Sequence, residues 1–156
     1  MKRSVVHTNV LILSLVVILG GLVQTAYAAK CSTEAVAGDW SFTLTGTLIV
    51  QGGGVPVAAA GRFTADEDGN VTGSEARSVG GGYADETITG SWTVNADCTS
   101  TLTVKIYESG NLVRISVVSL AFDDNSKEAR MVQKSLTLPD GTTQLPVVIT
   151  LEARKQ

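Results

Sequence analysis

From Asp39 onward the sequence alternates in period two, run after run, and clusters of Gly, Asp, Asn and Ser break the runs apart. In the first run Trp40, Phe42, Leu44, Gly46, Leu48 and Val50 fall on one face, and Ser41, Thr43, Thr45 and Thr47 on the other. Successive side chains of a strand point to opposite faces, so this pattern describes a strand with one dry and one wet side. The runs continue over 55–65, 71–79, 83–94, 101–107, 112–122, 129–138 and 145–154. Between them lie Gly52-Gly53-Gly54, Glu67-Asp68-Gly69-Asn70, Gly80-Gly81-Gly82, Asn95-Ala96-Asp97, Ser109-Gly110-Asn111, Asp123 to Lys127 and Pro139-Asp140-Gly141. These are turn compositions. No helical period is found within this region.

Eight strands with connections too short for a crossover helix must pair antiparallel with their sequence neighbours. An open sheet of eight would leave two edges exposed, and closure removes them. The expected fold is therefore an all-β, eight-stranded, antiparallel up-and-down barrel, with a two-sheet β-sandwich as the alternative. A membrane barrel would present apolar residues and aromatic girdles to lipid. Here the wet faces are Ser and Thr, and only seven aromatics follow Tyr27.

The first 28 residues read differently. Met1-Lys2-Arg3 is a short basic start, Val10 to Val23 is a nearly unbroken apolar run, and Ala26-Tyr27-Ala28 supplies small residues before a cut. That is the anatomy of a cleavable secretory signal, so residues 1–28 are expected to be a leader and 29–156 a single barrel domain. The expected location is secreted or periplasmic, with no membrane attachment after cleavage. Of twelve Lys and Arg, two precede residue 29, which leaves ten against fifteen acids and a net charge of −5. Such a balance disfavours nucleic acid as a partner.

Cys31 and Cys98 are the only cysteines. An even number in an oxidising compartment points to a disulfide. The single histidine, His7, lies in the leader. The domain therefore has no imidazole for a Ser-His-Asp or Cys-His pair, or for the zinc ligand sets that depend on histidine. No cofactor or metal is expected. Asp66-Glu67-Asp68-Gly69-Asn70 resembles the start of a calcium loop, but Gly falls at the fourth position and Arg77 at the twelfth, where the EF-hand needs Gly sixth and Glu twelfth. A turn is the expected reading. Asn70-Val71-Thr72 is a glycosylation sequon, relevant only in a eukaryotic secretory route.

The run 71–79 is anomalous. If Val71 and Val79 point inward, Glu75 and Arg77 share their face. Charges inside a small barrel are costly unless paired or wet. Either they form a polar patch in a cavity, with Glu75 available as acid or base, or a β-bulge at Gly73 returns both to solvent. The bulge is the simpler expectation. Arg114, Tyr83 and Tyr107 are further polar groups on strands, each expected to lie on the surface.

Gly38-Asp39-Trp40 resembles the G-x-W that opens the first strand of calycin barrels, the lipocalins and avidins. That resemblance implies a basic residue on the last strand covering the Trp, and Arg154 occupies the corresponding place. Parity sets Arg154 on the outer face unless the strand bulges. A longer stretch is similar to a pattern in uncharacterised secreted bacterial proteins related to the allene oxide cyclase barrels. It comprises Gly69-Asn70-Val71-Thr72-Gly73 and then Thr89-Gly90-Ser91-Trp92-Thr93-Val94-Asn95-Ala96-Asp97-Cys98-Thr99. This resemblance implies a small barrel and carries over no catalytic residue.

Three functions follow as expectations. The first is a binding module for a small apolar ligand, with a cavity lined by Trp40, Phe42, Phe63, Glu75, Arg77, Trp92, Leu102 and Met131. The second is a structural or inhibitor-like interaction protein with a filled barrel. The third is a cyclase or isomerase using one acid such as Glu75; enzymatic activity is the less favoured direction.

Overall fold

The computed structural model describes residues 31–123 and 126–156. The expected leader and its cleavage site therefore lie outside the described residues. A four-residue helix α1 (Thr33–Val36) precedes eight strands: β1 (Gly38–Val50), β2 (Gly53–Ala65), β3 (Asn70–Val79), β4 (Gly82–Val94), β5 (Thr99–Glu108), β6 (Asn111–Phe122), β7 (Glu128–Thr137) and β8 (Val147–Lys155). The helix was not legible in the sequence: at one turn, it is too short to show a period. It is held by local chemistry, with the Ser32 hydroxyl accepting from the Ala35 amide at 3.1 Å.

The strands form a closed barrel in sequence order, each antiparallel to the next. β1 pairs β8 from Trp40 opposite Lys155 to Leu48 opposite Val147, so no edge strand remains. Two register shifts interrupt the ladders, one in β5–β6 between Ile106 and Tyr107 and one in β6–β7 between Val117 and Val118. In the second, Lys134 is the extra residue, and parity changes across it. Gln133 and Leu136 consequently both face the interior.

The barrel has one filled end. Trp40, Phe63, Trp92 and Phe122 pack there with ring centroids 5.5–6.1 Å apart, Trp40 stacked on Phe63 and edge-on to Trp92. Such pairs contribute ~0.5–1.5 kcal/mol each beyond their burial. The start of the domain closes this end. Val36 is fully buried and its carbonyl accepts from Trp40 Nε1 at 3.0 Å. Cys31 is bonded to Cys98 in the β4–β5 turn, with their Cα atoms 5.0 Å apart. This disulfide is compatible with an extracellular or periplasmic location.

Arg154 does not cover Trp40. Continuous pairing with β1 keeps it on the outer face, where it meets Glu128 at 2.8 Å. Lys155 is the basic residue at this end, and its Nζ donates to the Ala35 carbonyl at 3.1 Å. The expected bulge at Gly73 is also absent: β3 pairs with β2 and β4 without a shift. Gly73 instead faces inward where two strands crowd. A Cβ there would lie 2.2 Å from the Arg62 carbonyl oxygen and 2.7 Å from the Phe63 Cα. With no bulge to turn them out, Glu75 and Arg77 remain inside.

Candidate functional site

Above the aromatic base the interior is not filled. A cavity of about 210 Å³ is lined mainly by aliphatic side chains, among them Leu44, Leu48, Val57, Val147, Ile149 and Leu151 on β1, β2 and β8. The facing half of its wall, on β3 to β7, also carries Glu75, Arg77, Arg114, Ser116 and Gln133. The cavity is thus apolar on one side and charged on the other.

Glu86 organises the charged side. It is 2% exposed and sits on β4 in the inward series with Ile88 and Trp92. Its Oε1 accepts from Arg77 Nε at 2.9 Å, and its Oε2 accepts a short hydrogen bond from Arg114 Nη2. Cross-strand pairing sets Glu75 opposite Glu86, and Glu86 opposite Glu108. Arg114 Nη2 lies 3.9 Å from Glu75 Oε1, and Arg77 Nη2 lies 3.8 Å from Glu108 Oε2. A buried carboxylate is tolerated only with such partners.

Two inward carboxylates side by side must divide their roles. Burial works to raise the pKa of Glu86, but the hydrogen bond and charge of Arg114, with hydrogen bonds from Glu75 and Arg77, hold it below its ordinary value. Glu75 goes the other way. Burial, its hydrogen bond to Glu86 and the Glu86 charge push it up to about 7, against the smaller opposing pull of Arg114 and Arg77. The pair therefore holds one carboxylate and one group that titrates near neutrality, the pattern expected when like charges share a dry site. Gln133 completes the polar side, donating from Nε2 to Ser116 Oγ and to the Ser135 carbonyl, both at 2.7 Å.

Of the residues named from the sequence, Phe42, Glu75 and Arg77 line the cavity. Trp40, Phe63, Trp92, Leu102 and Met131 belong to the buried core cluster. Arg114, expected at the surface, is turned inward onto Glu86. Tyr83 lies outside as expected, 69% exposed and donating to Asp85. Tyr107 borders a shallow groove on the barrel exterior with Arg62 and Asp85. Glu86 was not anticipated, although parity with Ile88, Gly90 and Trp92 points it inward.

The acidic turn after β2 is self-contained. Asp66 accepts from the Asn70 amide at 2.7 Å and from Asn70 Nδ2 at 2.8 Å, which lowers its pKa. Among the described residues no group of three or more His, Cys, Asp or Glu is placed to hold a metal ion.

No family model and no curated protein matches the chain. Solved structures do. The barrel is similar to EF1p2_mFAP2b bound to DFHBI, with a TM-score of 0.52 and 14% identity over 78% of this chain and 94% of that one. It is also similar to a redesigned β-barrel, mFAP1, bound to DFHBI, with a TM-score of 0.51 and 15% identity over 79% of this chain and 97% of that one. At these identities the likeness concerns the fold: a small closed eight-strand β-barrel.

Proposed function

We propose that the protein is an exported small-barrel binding module that holds a small apolar ligand in its open cavity. The carrying observation is the cavity itself, about 210 Å³ of largely aliphatic lining above a base closed by four aromatic rings and α1. Ligand sites take this form: concave, mostly apolar, with a few convergent polar groups. The volume sits just below the usual ~300–1,000 Å³ for drug-sized ligands, which favours a single-ring or short-chain molecule. That two barrels of similar fold are bound to DFHBI supports the reading. Export through a cleaved leader at residue 28 fits with the disulfide, which needs an oxidising compartment.

Titration calorimetry with 1-octanol tests this. Saturable binding at one site is expected, and Ile149→Trp, which fills the cavity from β8, abolishes it while the barrel's circular dichroism is retained. Absence of binding to the unmodified protein would count against a ligand site and in favour of a purely structural or interaction role.

A second reading has one specific observation behind it. A carboxyl group poised near pH 7 in a largely apolar cavity suits general acid–base catalysis. Glu75 would then protonate a substrate held in the same place, as in a cyclase or isomerase. Conversion, rather than retention, of a bound ligand distinguishes this reading from the first.

A further inference from the structure

The charge inside the barrel narrows the ligand class; this rests on the cavity being a ligand site. We propose that the cavity takes an amphiphile with a single carboxylate, which sits on Arg77 and Arg114 while its hydrocarbon part lies against β8, β1 and β2, and that Glu75 must carry a proton for it to bind.

The argument begins with the guanidinium groups. Each carries five N–H donors. Arg77 and Arg114 each give one close hydrogen bond to Glu86. Their approaches to Glu108 and Glu75, at 3.8 and 3.9 Å, are beyond hydrogen-bond length. Both arginines line the cavity. Donors of a rigid fork thus face the cavity, and that fork matches a carboxylate in shape.

Charge balance then selects a monoanion. Two arginines against Glu86 leave the inner layer at +1 when Glu75 is neutral. A phosphate group carries about −1.5 to −2 and would overcompensate. Ionised Glu75 would itself cancel the excess and compete for Arg114. The groups facing Glu75 are Glu86 on β4, Arg114 on β6 and Arg77 on its own strand, while Gly61 and Ala59 on β2 bring no charge. Glu108 on β5 touches only Arg77, and its side chain is 44% exposed, so water screens it. The opposing wall of Leu44, Leu48, Val147, Ile149 and Leu151 suits a hydrocarbon tail.

Calorimetry on the unmodified protein decides the matter, with octanoate and 1-octanol compared at about pH 6 and about pH 8.5. Octanoate is fully ionised at both, since free carboxyls titrate at ~4–5. With Glu75 titrating at about 7, its protonated fraction falls roughly thirtyfold across this range, and octanoate affinity should fall by the same factor. Octanol affinity should stay constant. Near pH 7.5, octanoate binding should take up protons, read as a dependence of the observed heat on the buffer's ionisation heat. Glu75→Gln should keep the low-pH affinity for octanoate at about pH 8.5, because its amide stays neutral. Octanol binding with no preference for octanoate at low pH would overturn the headgroup assignment and leave the apolar site standing. Octanoate binding independent of pH would overturn the role of Glu75. Failure of both probes would overturn the ligand site as well.

Discussion

Replacing Glu75 by Gln should change the protein's stability in a way that depends on pH. In the folded barrel Glu75 is displaced from its ordinary 4.5 to about 7, chiefly by burial. At ~1.36 kcal/mol for each pH unit, that displacement is worth about 3 kcal/mol. Its sign follows from proton counting. Between about pH 4.5 and 7 the folded chain keeps a proton that the unfolded chain has lost, so raising the pH through this window destabilises the fold. Above pH ~7 both states are ionised and the loss is complete. Gln is close in size, is always neutral, and can donate to Glu86 as the protonated acid does. The variant should therefore match the parent near pH 4.5 and exceed it by up to about 3 kcal/mol at pH 8. Other carboxylates act oppositely. Glu86, Asp66, Asp97 and Asp140 have lowered values, and the stability they contribute is lost on acidification. Asp66, Asp97 and Asp140 are common to both proteins, so the difference reports Glu75 together with its coupled partner Glu86. Urea unfolding at a series of pH values, with the disulfide intact and the denaturant slope unchanged, measures it. A difference that does not vary with pH, or a less stable variant at pH 8, would refute the assignment of the raised carboxyl to Glu75.

Replacing both Cys31 and Cys98 by Ser opens a loop with 67 residues of separation and should cost about 4 kcal/mol in the chain-entropy account, read by denaturant titration; two free thiols in the protein purified without reductant would contradict the bridge. Trp92→Ala empties a site 4% exposed among Trp40, Phe63 and Phe122, with an expected loss of about 3–5 kcal/mol and a collapse of near-ultraviolet dichroism. Arg154→Ala should change stability by no more than about 0.5 kcal/mol, because its pair with Glu128 lies on the surface; a large loss would restore a role for Arg154 in closing the base. Chelation with EDTA should leave the melting temperature unchanged, since Asp66 is engaged by Asn70 within its own turn.

The barrel was legible because its signal is repeated. Alternation places Trp40, Phe42, Phe63, Ile88 and Trp92 inward one run at a time, and short polar turns force antiparallel neighbours; closure of β1 on β8 then follows from the cost of bare edges. The disulfide was legible from the cysteine count and the expected oxidising compartment. The fate of β3 was not. Gly73 is equally at home in a bulge and in a tight inward contact, and only its unbroken pairing with β2 and β4 excludes the bulge. Arg154 shows the converse: parity alone set it outside, against the resemblance that set it over Trp40.

The sequence by itself determined how many strands there are, which face of most of them is dry, and that no histidine lies in residues 31–156. Only the tertiary structure decided that Arg77 from β3 and Arg114 from β6 converge on the carboxylate of Glu86 on β4, with Glu75 left to titrate beside it. The physical reason is that a period of two specifies a side and not a height. Height depends on how far each strand slides along its neighbour, which hairpin turns, bulges such as that between Val117 and Val118, and the stagger of closure set together. A charge facing an interior is a liability until that stagger supplies its partner, and the partner here lies 28 residues away along the chain and one hydrogen bond away in space.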